Sequence, residues 1–119
     1  MKRYLLPLLV IALATLLCAQ VALVSQSDLT GTAVARQIAP TGTARWVLFI
    51  AASANAAVVR IGDSNVSATQ GPTVAPGGGL FFPPLPDNKN IQGKDVYYDL
   101  SKIFCYAGTG DKVSILYAK

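Results

Sequence analysis

Histidine and glutamate are both missing from this chain of 119 residues, and charged residues make up only 13% of it. Without histidine there is no imidazole base and no imidazole metal ligand. The six acids are all aspartates: Asp28, Asp63, Asp87, Asp95, Asp99 and Asp111. A calcium loop needs carboxylates at alternating spacing, and the 87–95 stretch lacks them. The two cysteines, Cys18 and Cys105, are too few for a zinc site. Hydroxyls remain, but none comes with a base and a group to orient it. The expectation is a chain that is not an enzyme and takes no cofactor and no metal.

Clustered charge is scarce too. Lys2 and Arg3 supply two units of the +4 net charge, and the rest of the chain holds eight basic residues against six acidic ones. Those eight are spread singly, whereas a nucleic-acid groove wants them gathered with aromatics between. They read as solubilising charges on outward strand positions. Neither a nucleic acid nor a small-molecule substrate is expected.

What the chain does have is an apolar start. Met1 to Gln20 begins with two cations and continues as an almost unbroken hydrophobic run, the form of an export signal. Cleavage after Ala19 puts Leu17 at the −3 position, and cleavage after Ala22 puts Gln20 there; neither is small. Leu17 before Cys18 is also larger than a lipobox prefers. The competing reading keeps the segment, since Tyr4 to Val24 at 1.5 Å per residue is about the depth of a bilayer core. Lys2 and Arg3 would then stay on the cytoplasmic side. A third reading packs a hydrophobic helix against other subunits. The three stay open, and residues 1–24 are set apart as this segment, with 25–31 as a polar linker and 32–119 as the folded domain.

The domain reads as strands and turns. Thr32–Ile38 alternates, with Val34, Arg36 and Ile38 on one face, and looks like an edge strand able to pair with a neighbour. Arg45–Ala52 is apolar on both faces and fits a central strand buried on both sides. Trp46 within it reads as a core or rim packing residue. Ala57–Ile61, Val66–Thr69 and Leu80–Phe82 follow as strands. Asn65-Val-Ser67 matches a glycosylation sequon but reads as a chance match on a turn. The Gly/Pro-rich 70–79 stretch lacks the Lys-Ser/Thr ending of a phosphate loop. Residues 87–95 form a polar loop in which Lys89 and Asn90 are contact candidates. Tyr97 and Tyr98 face opposite ways if extended, one buried and one free for a partner.

The closing segment reads as one hairpin, with Ile103–Ala107 and Lys112–Ala118 as arms and Gly108-Thr-Gly-Asp111 as the turn. Cys105 falls mid-strand as an inert buried thiol. About seven strands at roughly ten-residue spacing predict an all-β fold, an antiparallel sandwich or jelly-roll-like barrel preceded by a hydrophobic helix. The predicted core is Trp46, Leu48, Ile50, Val58, Ile61, Phe81, Leu100, Ile103, Val113 and Ile115.

Several stretches together carry a resemblance: Trp46-Val-Leu-Phe-Ile50 with Asn55, Val59-Arg-Ile-Gly-Asp-Ser-Asn-Val-Ser67 and Ala75-Pro-Gly-Gly78. Tyr98-Asp-Leu-Ser-Lys-Ile103 and Gly110-Asp-Lys-Val-Ser-Ile-Leu-Tyr117 complete it. Over about residues 44–118 the chain resembles small β proteins encoded by tailed and other bacteriophages, mostly of unknown role and taken for virion components such as decoration, spike or fibre-associated domains. The resemblance implies a structural virion component that assembles with copies of itself or other virion proteins. The apolar leader is a departure, and it suits a lipid-containing particle that anchors minor capsid proteins through residues 4–24. The alternative is a secreted or periplasmic β module that binds a surface glycan or protein through Tyr97 or Tyr98.

Overall fold

The computed structural model describes residues 22–85 and 96–119. The leader, and the loop candidates Lys89 and Asn90, lie outside the described residues. Within them the fold is all-β, every pairing is antiparallel, and no α-helix occurs. Ten strands are present among the described residues: β1 (Leu23–Thr30), β2 (Ala35–Gln37), β3 (Thr43–Ala44), β4 (Trp46–Ala51) and β5 (Val59–Gly62) make the first half. They are followed by β6 (Thr73–Val74), β7 (Gly79–Phe82), β8 (Tyr98–Asp99), β9 (Phe104–Tyr106) and β10 (Lys112–Ala118). One four-stranded sheet has the order β1-β10-β4-β7, a second has β2-β9-β5-β6, and β3 pairs with β8 alone.

One apolar cluster joins the two larger sheets, taking Val47, Phe49, Ala51, Val113 and Ile115 from the first and Val59, Ile61 and Cys105 from the second. Residues 25–30, expected as a linker, are strand. β1 pairs with β10 from Leu23↔Ala118 to Thr30↔Lys112, with a bulge between Gln26 and Leu29. Its polar composition suits an edge strand with one face in water. Leu23 and Val24 thus belong to the body, which shortens the apolar leader to residues 4–21.

The expected closing hairpin does not form. Gly108–Asp111 does turn, with Asp111 N donating to Gly108 O at 3.0 Å, but its arms enter different sheets. β9 pairs with β2 and β5, whereas β10 pairs with β1 and β4. The connection from β1 to β2 crosses between the sheets beside it. Gly31 N donates to Asp111 O at 2.7 Å, Gly110 N to Gly31 O at 3.1 Å and Ala33 N to Ala107 O at 3.0 Å. The two chain segments therefore turn the corner together as one bent ribbon, a recognised way for strands to switch sheets. Gly31 makes the crossing close: a Cβ there would lie 2.3 Å from Gly108 O and 2.6 Å from Ala107 O.

The phase of β4 is opposite to the expected one. Val47, Phe49 and Ala51 are buried, Trp46 and Leu48 are half-buried, and Ile50 is exposed. Val58 and Phe81 are also exposed rather than core, while Ile61, Leu100, Ile103, Val113 and Ile115 are buried as expected. Val66–Thr69 is not a strand; it is a loop that buries Val66.

Candidate assembly surface and basic cleft

Antiparallel register fixes what the outer face of the first sheet displays, because directly opposed residues share a face. One row across it is Leu23, Ala118 and Trp46, and the next is Ser25, Leu116, Leu48 and Phe81. A third holds Ser114, Ile50 and Gly79. Leu23 is 63% exposed, Phe81 51% and Ile50 44%, so an apolar stripe lies in water. Trp46 packs edge-on against Phe81 with ring centroids 5.7 Å apart. Next to the stripe, a shallow groove of ≈ 290 Å³ is lined by Ser25 and Asp28 from β1, Leu48 and Ile50 from β4, and Ser114 and Leu116 from β10. On the groove's polar side Ser114 Oγ donates to Asp28 Oδ1 at 2.7 Å, whereas the buried Oε1 of Gln26, which also lines the groove, has no hydrogen-bond partner among the described residues.

A second cleft, of ≈ 420 Å³, is lined by Gly42, Thr43, Arg45, Tyr97 and Lys119. The Arg45 guanidinium stands 5.8 Å from the centre of the Tyr97 ring, within cation–π range.

The residues singled out from the sequence do not converge. Val34 is 58% exposed and Arg36 is exposed beside it, its Nη1 donating to Thr30 O at 2.7 Å. Both lie at or beside β2, which is an edge strand as expected. Ile38 is only 2% exposed and packs in the core, so it offers a partner nothing; the strand ends at Gln37 and the chain turns inward. Tyr97 and Tyr98 are both half-buried, not one buried and one free. Tyr98 packs on Phe82 and its hydroxyl donates to Pro83 O at 2.6 Å, which makes it a structural pin. Tyr97 lines the basic cleft.

Reactive groups are quiet here. Burial pushes the Cys105 thiol up to about 12, although Arg36 pulls the other way. The unfolded thiol ionises near 9, so this group's contribution to stability is full below pH 9 and declines as pH rises toward 12. Hydrogen bonds from the Ser101 hydroxyl and backbone N–H hold Asp99 below the usual carboxylate range, an N-cap on the 3-10 turn Leu100–Lys102. Among the described residues, no three acids or cysteines gather in a way that could hold a metal ion.

Sequence reasoning missed the outer face because it assigned Trp46, Leu48, Ile50 and Phe81 to the core. It missed the cleft because Arg45 and Lys119 meet only through the pairing of β10 with its neighbours. No protein-family model matches the chain, and neither a curated protein nor a solved structure matches it significantly.

Proposed function

We propose that this chain is a non-enzymatic structural component of a bacteriophage particle. Its two sheets form a sandwich, or jelly-roll-like barrel, that assembles with neighbouring protein subunits. The observation that carries this reading is the apolar outer face of the first sheet, on which Ile50 and Phe81 are exposed and Trp46, Leu48 and Leu116 are half-buried. A contiguous apolar face of this kind marks an interaction surface. It pairs readily with another protein because it buries little charge. The leader is read as retained, holding the body at a membrane or against the protein shell.

Intact-mass spectrometry of purified particles tests this. The chain is expected there with its leader attached and at constant copy number relative to the major shell protein. A chain found only outside particles, starting near Gln20 or Leu23 in an exported fraction, would overturn the reading in favour of a secreted binding module.

A further inference from the structure

One end of the first sheet carries a chemistry that the other end lacks. At the end where residue 21 joins the body, Lys119 N donates to Ala22 O at 3.0 Å and Arg45 N donates to Ala118 O at 2.7 Å. The start of β1, the end of β10 and the start of β4 therefore lie side by side. On the outer face there, Leu23 is exposed, Trp46 is half-buried with Phe81 edge-on to it, and Ala118 between Leu23 and Trp46 is fully covered. Immediately beside them, Arg45, Tyr97 and Lys119 line the ≈ 420 Å³ cleft. Among the described residues neither Arg45 nor Lys119 has an acidic partner. The opposite end closes instead on polar pins: Asn55 Nδ2 donates to Lys112 O at 2.9 Å, and Lys112 N donates to Asn55 Oδ1 at 2.7 Å. Ala56 N donates to the buried Asp111 carboxylate at 2.8 Å.

We propose that the Arg45–Lys119 end is a lipid-facing platform. Arg45 and Lys119 hold the phosphate of an anionic phospholipid headgroup, while Leu23, Trp46 and Phe81 sit at headgroup depth. This rests on the reading that the leader lies in a bilayer. Three observations favour a headgroup over a free phosphate. The apolar run of residues 4–21 ends at this end of the body, and about 18 residues suffice to cross a bilayer core. An indole and a phenol placed beside cations are the side chains that settle at the membrane–water boundary. An exposed Leu23 has no use in binding a soluble ion but gains from contact with acyl chains. The guanidinium fork matches phosphate geometry, and each cation near an anionic surface raises partitioning by roughly fivefold. Where the α-carboxylate of Lys119 is free it offsets one charge, and the Arg45 fork then carries the attraction.

Trp46 is the only tryptophan, so its emission reports on this end alone. The full chain is reconstituted into vesicles of phosphatidylcholine, with and without an equal part of phosphatidylglycerol, and Trp46 is quenched by lipids brominated near the headgroup. Quenching is expected in both and about twofold stronger with phosphatidylglycerol. In an R45Q/K119Q variant with unchanged circular dichroism it should fall to the neutral-lipid level, with the chain still floating with the vesicles. A chain that floats while Trp46 stays unquenched overturns the platform and leaves the anchor standing. Equal quenching in both lipids, unmoved by R45Q/K119Q, overturns the headgroup site. A chain that does not float overturns the anchor reading and this proposal with it.

Discussion

Gly31 stands where two backbones cross at a distance no side chain tolerates. Its amide and carbonyl bond to Asp111 and Gly110, and the space a methyl group would need is filled by the carbonyls of Ala107 and Gly108. Backbone atoms cannot swing aside as a flexible side chain can. Gly31→Ala is therefore expected to cost about 1–3 kcal/mol or more, by forcing the ribbon apart at its corner. Thermal or denaturant unfolding of the full chain measures this, and a Gly110→Ala control shows whether the close crossing is the cause. At Gly110 a Cβ meets nothing within 4 Å, although its φ of +87° is itself unfavourable for alanine. Some single residues were legible from the sequence. Cys105, between aromatics in a strand-like run, is buried, and the glycines around Thr109 do form a turn. The role of Gly31 was not, because its neighbours Ala107 and Gly108 are far away in sequence and nothing local marks the crossing.

β4 shows what patterning can and cannot say. Trp46-Val-Leu-Phe-Ile-Ala51 is apolar at every position, so alternation gives no phase and either face could be the inner one. Pairing decides: Val47, Phe49 and Ala51 oppose Tyr117, Ile115 and Val113, which face the core. Phe49→Ala is expected to cost about 3–5 kcal/mol, as for a large aromatic removed from a close-packed interior. Ile50→Thr should stay within about 0.5 kcal/mol, as a surface change on a strand position that favours β-branching. Denaturant unfolding of both variants checks the phase, and the reverse ranking would refute it. The all-β class was legible because turn residues recur through the chain and helical periodicity does not. The sheet assignment of the last two strands was not. A short glycine turn reads as a hairpin, yet here each arm finds better partners across the corner in β1, β2, β4 and β5. β1 itself was hidden because Ser25, Gln26, Ser27 and Asp28 look like a linker when the strand is at an edge.

At the scale of the whole molecule, one apolar face is inside and a second is in water. The first holds two sheets together; the second, on the outside of β10, β4 and β7, leaves Ile50 and Phe81 exposed and is the face we propose to be covered by a neighbouring subunit. Polar pins at the Asn55–Asp111 end and cations with aromatics at the Arg45–Lys119 end give the body a direction. Under the proposal that the second end rests on a membrane, the apolar outer face would point sideways, along that surface. This was the least legible level from sequence alone, since it depends on which residues of four separated segments fall into one row.

The most direct test of that arrangement is photo-cross-linking inside assembled particles, with benzoylphenylalanine placed at Ile50 on the outer face or at Ser64 on an exposed turn away from it. The account predicts a discrete adduct to one particle subunit, a second copy included, from position 50 and none from position 64. Particles that carry the protein but give no adduct at position 50, or equal adducts from both positions, would contradict it.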